Sequence, residues 1–128
     1  MDLDAHALVI QFLNLNKNVV IIHASSKNAR AFEGIENQQI FCLVGNEGHR
    51  MEEVFKGELP LKAYCILPPS PRKMGTYIPS QLINNSYQLD ALSFTGAISE
   101  NITALALELC LRLKSKVVYV AGYDGYTE

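Results

Sequence analysis

A chain of 128 residues, 48% hydrophobic and 19% charged, suits a single globular domain with a sizeable core. A net charge of −2 lacks the basic footprint of a nucleic-acid or anionic-membrane binder. The apolar runs are strand-sized, too short to span a bilayer.

The opening MDLDAHALVIQ is acidic and has neither the basic flank nor the cleavage site of a signal peptide. Cys42, Cys65 and Cys110 are odd in number, far apart and embedded in apolar runs. Buried thiols in a reducing compartment fit that pattern better than disulfides or a metal site. The expected location is cytoplasmic.

In chain order, Asp2 to Asn16 reads as a helix, with Leu8, Phe12 and Leu15 on one face and Asp2 or Asp4 as cap. Val19 to Ile22 is a β-branched run without alternation, the pattern of a strand covered on both faces. In the HASSKN turn that follows, Ser25 or Ser26 can cap a short helix reaching about Glu33, with Ala29 and Phe32 inward. Gln39 to Val44 is a second buried strand, closed by GNEG, and Arg50 to Lys56 makes one or two helical turns over Met51, Val54 and Phe55. Leu61 to Leu67 is the third strand. Pro68 to Ala97 has no sustained periodicity and reads as a folded lid with a short helix near Ser80 to Ile83. Ile98, Ile102, Leu105, Leu109 and Leu113 then mark a mostly buried helix that feeds the run KVVYVAGYDGY, Lys116 to Tyr126.

Alternating strands and helices predict an α/β fold: a three-layer Rossmann-like open parallel sheet of four to five strands, order 3-2-1-4. The reversal beside the first strand is a switch point, where such sheets bind ligands at their carboxyl ends. Residues 1–128 read as one domain. Because the chain stops where a further βα unit would begin, it reads as a fragment of a larger protein.

Three polar turns gather at that expected edge. Ser25, Ser26, Lys27 and Asn28 offer hydroxyls, amides and a helix start, a cradle for an anion or else a plain N-cap. Asn46 and Glu47 suit sugar or ribose hydroxyls, while His49 and Arg50 suit a phosphate or carboxylate; the alternative is an ordinary glycine turn. Thr95, Gly96 and Ser99 open the long helix and again suit an anion; the alternative is capping by Thr95 or Ser99 alone. Asp124, followed by Gly125, sits past the last strand near the same expected edge; the alternative is an ordinary turn former. A His23, Ser25, Asp124 triad can be assembled on paper but lacks a nucleophile elbow. The three histidines are too dispersed for a metal site.

VVIIHASSKNA, Val19 to Ala29, and the ending Val118 to Tyr126, preceded by the helix TGAISENITALALELCLRL, resemble the carboxyl-terminal domain of bacterial 4-hydroxy-2-oxovalerate aldolase-like proteins. These belong to the HMG-CoA-lyase-like barrel superfamily, and their tails end in an AGFDGY-like motif. The resemblance implies an appended Rossmann-like domain. The lyase chemistry and its divalent metal would then reside in an N-terminal barrel, which usually needs ~250 residues; this chain lacks that length and the His-x-His and Asp-Arg-Glu elements. No cofactor is expected in this domain.

The expected function is an accessory domain of an aldolase-type enzyme. It would bind a small anionic metabolite, such as a nucleotide, sugar phosphate or acidic sugar, and pair with the parent's barrel. One alternative is a catalytic fragment of a nucleotide-sugar transferase, by fold-level analogy to sialyltransferases. Another is an oligomerisation module that forms a homodimer through the tyrosine-rich segment from Tyr77 to Tyr87.

Overall fold

The computed structural model describes residues 3–60, 63–70, 75–90 and 102–119. Helix α1, Leu3–Leu15, leads into strand β1, Ile21–His23, and a 3-10 turn at Ala29–Phe32. Strand β2, Gln39–Cys42, helix α2, Glu47–Val54, and strand β3, Ala63–Leu67, follow. A second 3-10 helix, Ser80–Asn85, precedes strand β4, Ser86–Gln88, and helix α3, Ile102–Arg112, comes last. None of the described helices is long and apolar enough to cross a membrane.

The fold is α/β, with an all-parallel open four-stranded sheet consistent with a Rossmann-like fold. Phe41 of β2 lies opposite His23 of β1 and Cys65 of β3, which sets the register. All four residues of β2 are buried, as the non-alternating QIFC run predicts for a strand covered on both faces.

Each face has its own core. On one, Phe41, Leu43, Ala63, Cys65 and Leu67 pack with Ala29, with Met51 and Phe55 around α2, and with Leu82 from the second 3-10 helix. All three crossovers therefore lie on this face. On the other, Ile40, Cys42 and Ile66 pack against Leu105 and Leu109 of α3. Burial pushes the thiols of Cys42 and Cys65 up to about 12 and about 11, and all three cysteines are free. These two thiols are inert packing groups.

The strand order differs from 3-2-1-4. The first three strands keep their expected relation, but the described sheet runs β1-β2-β3-β4. Its fourth member comes from the segment expected to be a lid, paired to β3 through Cys65–Ser86 and Ile66–Tyr87. Val117, Val118 and Tyr119, expected to begin the last strand, are in no strand and are exposed; the rest of that run lies outside the described residues. The β3 edge offered unpaired backbone groups, and the short polar NNSYQ stretch satisfies them although it carries no strand periodicity.

Two helix faces also differ. In α1, Leu8 and Leu15 are exposed and Leu13 is buried, with His6, Val9, Ile10 and Phe12 partly covered. Apolar residues surround this helix, so docking rather than periodicity selects the face: His6 meets Phe32 edge-on at 5.9 Å, and Phe12 meets Tyr119 at 5.1 Å. In α3, Leu107 and Leu111 are exposed, as is Leu113 just past its end, while Glu108 is buried. The Glu108 carboxylate accepts from Arg112 Nε at 3.0 Å, and Arg112 also pairs with Asp90 at 2.8 Å. The two carboxylates, Glu108 first, hold the guanidinium above its ordinary pKa.

Phe41 is the centre of the first core, stacked on His23 at 4.4 Å and edge-on to Phe55 at 6.0 Å. Phe41→Ala is expected to destabilise the fold by about 3–5 kcal/mol, measured from urea unfolding midpoints.

Candidate functional site

The carboxyl ends of β1 and β2 carry two polar segments that meet. The β1 turn turns back at Ser25, whose Oγ accepts from the Lys27 amide at 3.3 Å. The Ser26 carbonyl accepts from the Ala29 amide at 3.1 Å. Neither serine caps a helix as expected. The residue flanking the 3-10 turn is Asn28, which makes no side-chain cap bond, because so short a turn frees few amides to cap.

The β2 segment differs from a simple glycine turn. Gly45 takes a φ of 58°, which glycine adopts without a Cβ penalty, and α2 starts at once. Asn46 flanks the helix without a side-chain cap bond, and Glu47, His49 and Arg50 stand on its first turns.

Glu47 joins the two segments. Its Oε1 accepts from the Ser26 amide at 2.7 Å, and its Oε2 lies 3.8 Å from Arg50 Nη1. The amide expected to cradle an outside anion is thus held by an internal carboxylate. Ser26 is itself 1% exposed, and its hydroxyl has no hydrogen-bond partner. Ser25, Lys27, Asn28, Asn46, His49 and Arg50 are exposed around this contact.

Sequence reasoning did not anticipate the third wall. His49 stacks on Tyr77 with ring centroids 3.6 Å apart, and the Tyr77 amide donates to the Gly45 carbonyl at 3.3 Å. A hydrogen bond to the Glu52 carboxylate raises the Tyr77 phenol above its ordinary pKa. Gly48 lies under this segment, so a Cβ there would collide with the Tyr77 carbonyl oxygen and meet its ring at 3.0 Å. The signal available was Gly48 in α2, since helical glycines often mark close approach.

His23 belongs to the core instead. It is buried and shares a 2.8 Å hydrogen bond with the Gln39 carboxamide oxygen, and Gln39 donates in turn to the Phe32 carbonyl at 3.1 Å. Burial, outweighing the Gln39 bond, holds the imidazole below its ordinary value of 6.5. His23 is buried against Phe41 while Ser25 is exposed with its Oγ on the Lys27 amide, and no hydrogen bond joins the two among the described residues. Asp124 and Gly125, with Thr95, Gly96 and Ser99, lie outside the described residues. The described strands show no order reversal, so the two segments that meet are those of adjacent β1 and β2, not two flanking a switch point.

No family model, curated protein or solved structure matches the chain.

Among the described residues no group of three or more metal-ligating side chains comes together. A cavity of about 430 Å³ opens at the opposite, amino-terminal edge of the sheet, between the loops that enter β2 and β3. Its charged lining is all acidic: Glu33, Glu36 and Glu58.

Two outcomes follow from these contacts. Gly48→Ala should destabilise the protein by about 1–3 kcal/mol and remove the ring-current shift of Tyr77 on the His49 protons in NMR spectra. Because the folded pKa of His23 lies below 6.5, the unfolded chain takes up the proton first. The His23 contribution to stability is complete above 6.5 and is lost as pH falls through the folded value. His23→Gln should therefore flatten the fall in unfolding free energy between pH 8 and pH 5 relative to wild type.

Proposed function

We propose that the domain binds a small anionic metabolite, of the nucleotide, sugar phosphate or acidic sugar class, at the carboxyl edge of β1 and β2. The observation that carries this reading is the Ser26–Glu47 contact, which closes two polar turns onto each other beside a buried, unpartnered Ser26 hydroxyl. Glu47 is an acceptor for ligand hydroxyls at the end of the second strand, where α/β nucleotide sites place a carboxylate. Arg50 and Lys27, both exposed beside this contact, supply the positive charge for an anionic ligand. The planar His49–Tyr77 pair offers a stacking surface for a base or sugar ring. Thr95, Gly96, Ser99 and Asp124 would complete the site from the long connection and the final run.

In this reading the domain serves as an accessory module to an aldolase-type enzyme whose barrel and divalent metal lie elsewhere in the parent. The support for that context is the resemblance carried by Val19 to Ala29 and Val118 to Tyr126.

Calorimetric titration with AMP, glucose 6-phosphate and glucuronate tests the site. At least one should bind, about ten-fold more weakly in Arg50→Ala than in wild type, the scale of one lost charge-assisted hydrogen bond. A folded sample that binds none of them, or binding indifferent to Arg50 and Lys27 substitution, refutes the reading.

A further inference from the structure

The large apolar side chains that this fold leaves in water are not scattered. Among the described residues eleven are exposed, and eight of them belong to α1, α3 and the run that follows α3. Leu8 and Leu15 are 66% and 77% exposed on α1, and Leu107 and Leu111 are 49% and 59% exposed on α3. Leu113, Val117, Val118 and Tyr119 supply the rest, within a stretch, 111–119, whose every residue is exposed.

One contact joins these pieces. Leu8, Phe12 and Leu15 follow at helical spacings of four and three, so they share one face of α1. The Tyr119 ring packs edge-on against Phe12 with centroids 5.1 Å apart. Tyr119 therefore lies on the face that carries Leu8 and Leu15. The chain running back from it leads through Val118, Val117 and Leu113 to the end of α3. Single exposed apolar residues are normal, but a continuous patch of this extent marks a contact surface.

The patch is also poor in charge. Residues 5–16, which cover most of α1, include no Lys, Arg, Asp or Glu. On α3, Glu108 is buried. Arg112 is held by Glu108 and Asp90, and Lys17 by Glu36. That leaves Lys114 and Lys116 as its cations, on long stems that keep the ammonium groups in water at a rim. Charge depleted at the centre and polar groups at the edge are the anatomy of a protein interface.

We infer that this surface joins two copies of the chain in a two-fold symmetric dimer, α1 and α3 of one against the same elements of the other. Area favours a second copy. Eight side chains, each about half exposed or more, leave on the order of 800 Å² in water, which is what each partner buries in a standard interface. A two-fold contact sets the patch on itself, so apolar surface meets apolar surface. An anionic bilayer fits less well, because two lysines attract it little and the chain's net charge of −2 opposes it. The surface is distinct from the Tyr77 to Tyr87 segment expected to form a homodimer, where Tyr77 is taken up by His49.

Sedimentation velocity on the full chain across the micromolar range tests this, and the expected result is a reversible monomer–dimer equilibrium. Leu15→Lys and Leu111→Lys are exposed changes that keep helix propensity. Each should weaken the dimer about ten-fold or more, since each sets an unpaired charge in the apolar centre. Ile83→Lys, 57% exposed on the second 3-10 helix, should leave it unchanged. Circular dichroism checks that each variant is folded. A wild-type chain that stays monomeric overturns the proposal, and flotation of that monomer with phosphatidylserine vesicles would assign the patch to a lipid surface instead. A dimer that Leu15→Lys and Leu111→Lys leave intact, one that Ile83→Lys abolishes, or assembly that continues past the dimer would equally overturn it.

Discussion

The structure depends on β2 being buried from both sides. Its four residues alternate between two cores, Phe41 facing the crossovers and Ile40 and Cys42 facing α3. A strand with no wet face cannot slip by one residue without exchanging the two sets, so its register fixes the positions of its neighbours. The His23–Phe41 stack and the pairing of Phe41 with Cys65 follow from that register. The polar turns at one end and the acidic loops at the other are placed by the same strand.

The two ends differ chemically because their loops differ in what they leave exposed. At the carboxyl end an internal carboxylate, Glu47, already satisfies the Ser26 amide, while two cations remain in solvent nearby. At the amino end the carboxylates lie outermost around the cavity. An electrostatic division of this kind arises from loop sequence alone, since a parallel sheet keeps all its strand starts on one edge and all its strand ends on the other.

Much of this fold was legible in the residues, and the limits are physical. The runs QIFC and AYCIL are apolar without alternation and could belong only to covered strands. Ala29, Phe32, Met51 and Phe55 were readable as inward positions and are buried. Strand β4 was not readable, because a three-residue edge strand with Tyr87 in solvent needs only backbone donors and acceptors that every sequence has. The face of α1 was hidden by apolar residues all round it. Burial of Glu108 was hidden because a carboxylate reads as exposed until its Arg112 partner is seen. At the candidate site the polar turns were identifiable by residue type, whereas the Glu47–Ser26 contact and the Tyr77 wall are tertiary and left no local pattern.

The uneven division of the two cores bears on how the chain assembles. Every described strand pairs with its neighbour in sequence, and every crossover covers the same face. The sheet and one of its cores can therefore form while the chain is still being synthesised, through short-range contacts that close quickly. The face of Ile22, Ile40, Cys42, Tyr64 and Ile66 gains its helix only when residues 102–112 arrive. A nascent chain whose sheet had formed before that helix emerged would expose this apolar face, the kind of surface chaperones hold and neighbouring chains stick to. Folding yield would then be governed by how promptly one late helix docks, rather than by how well the sheet is made.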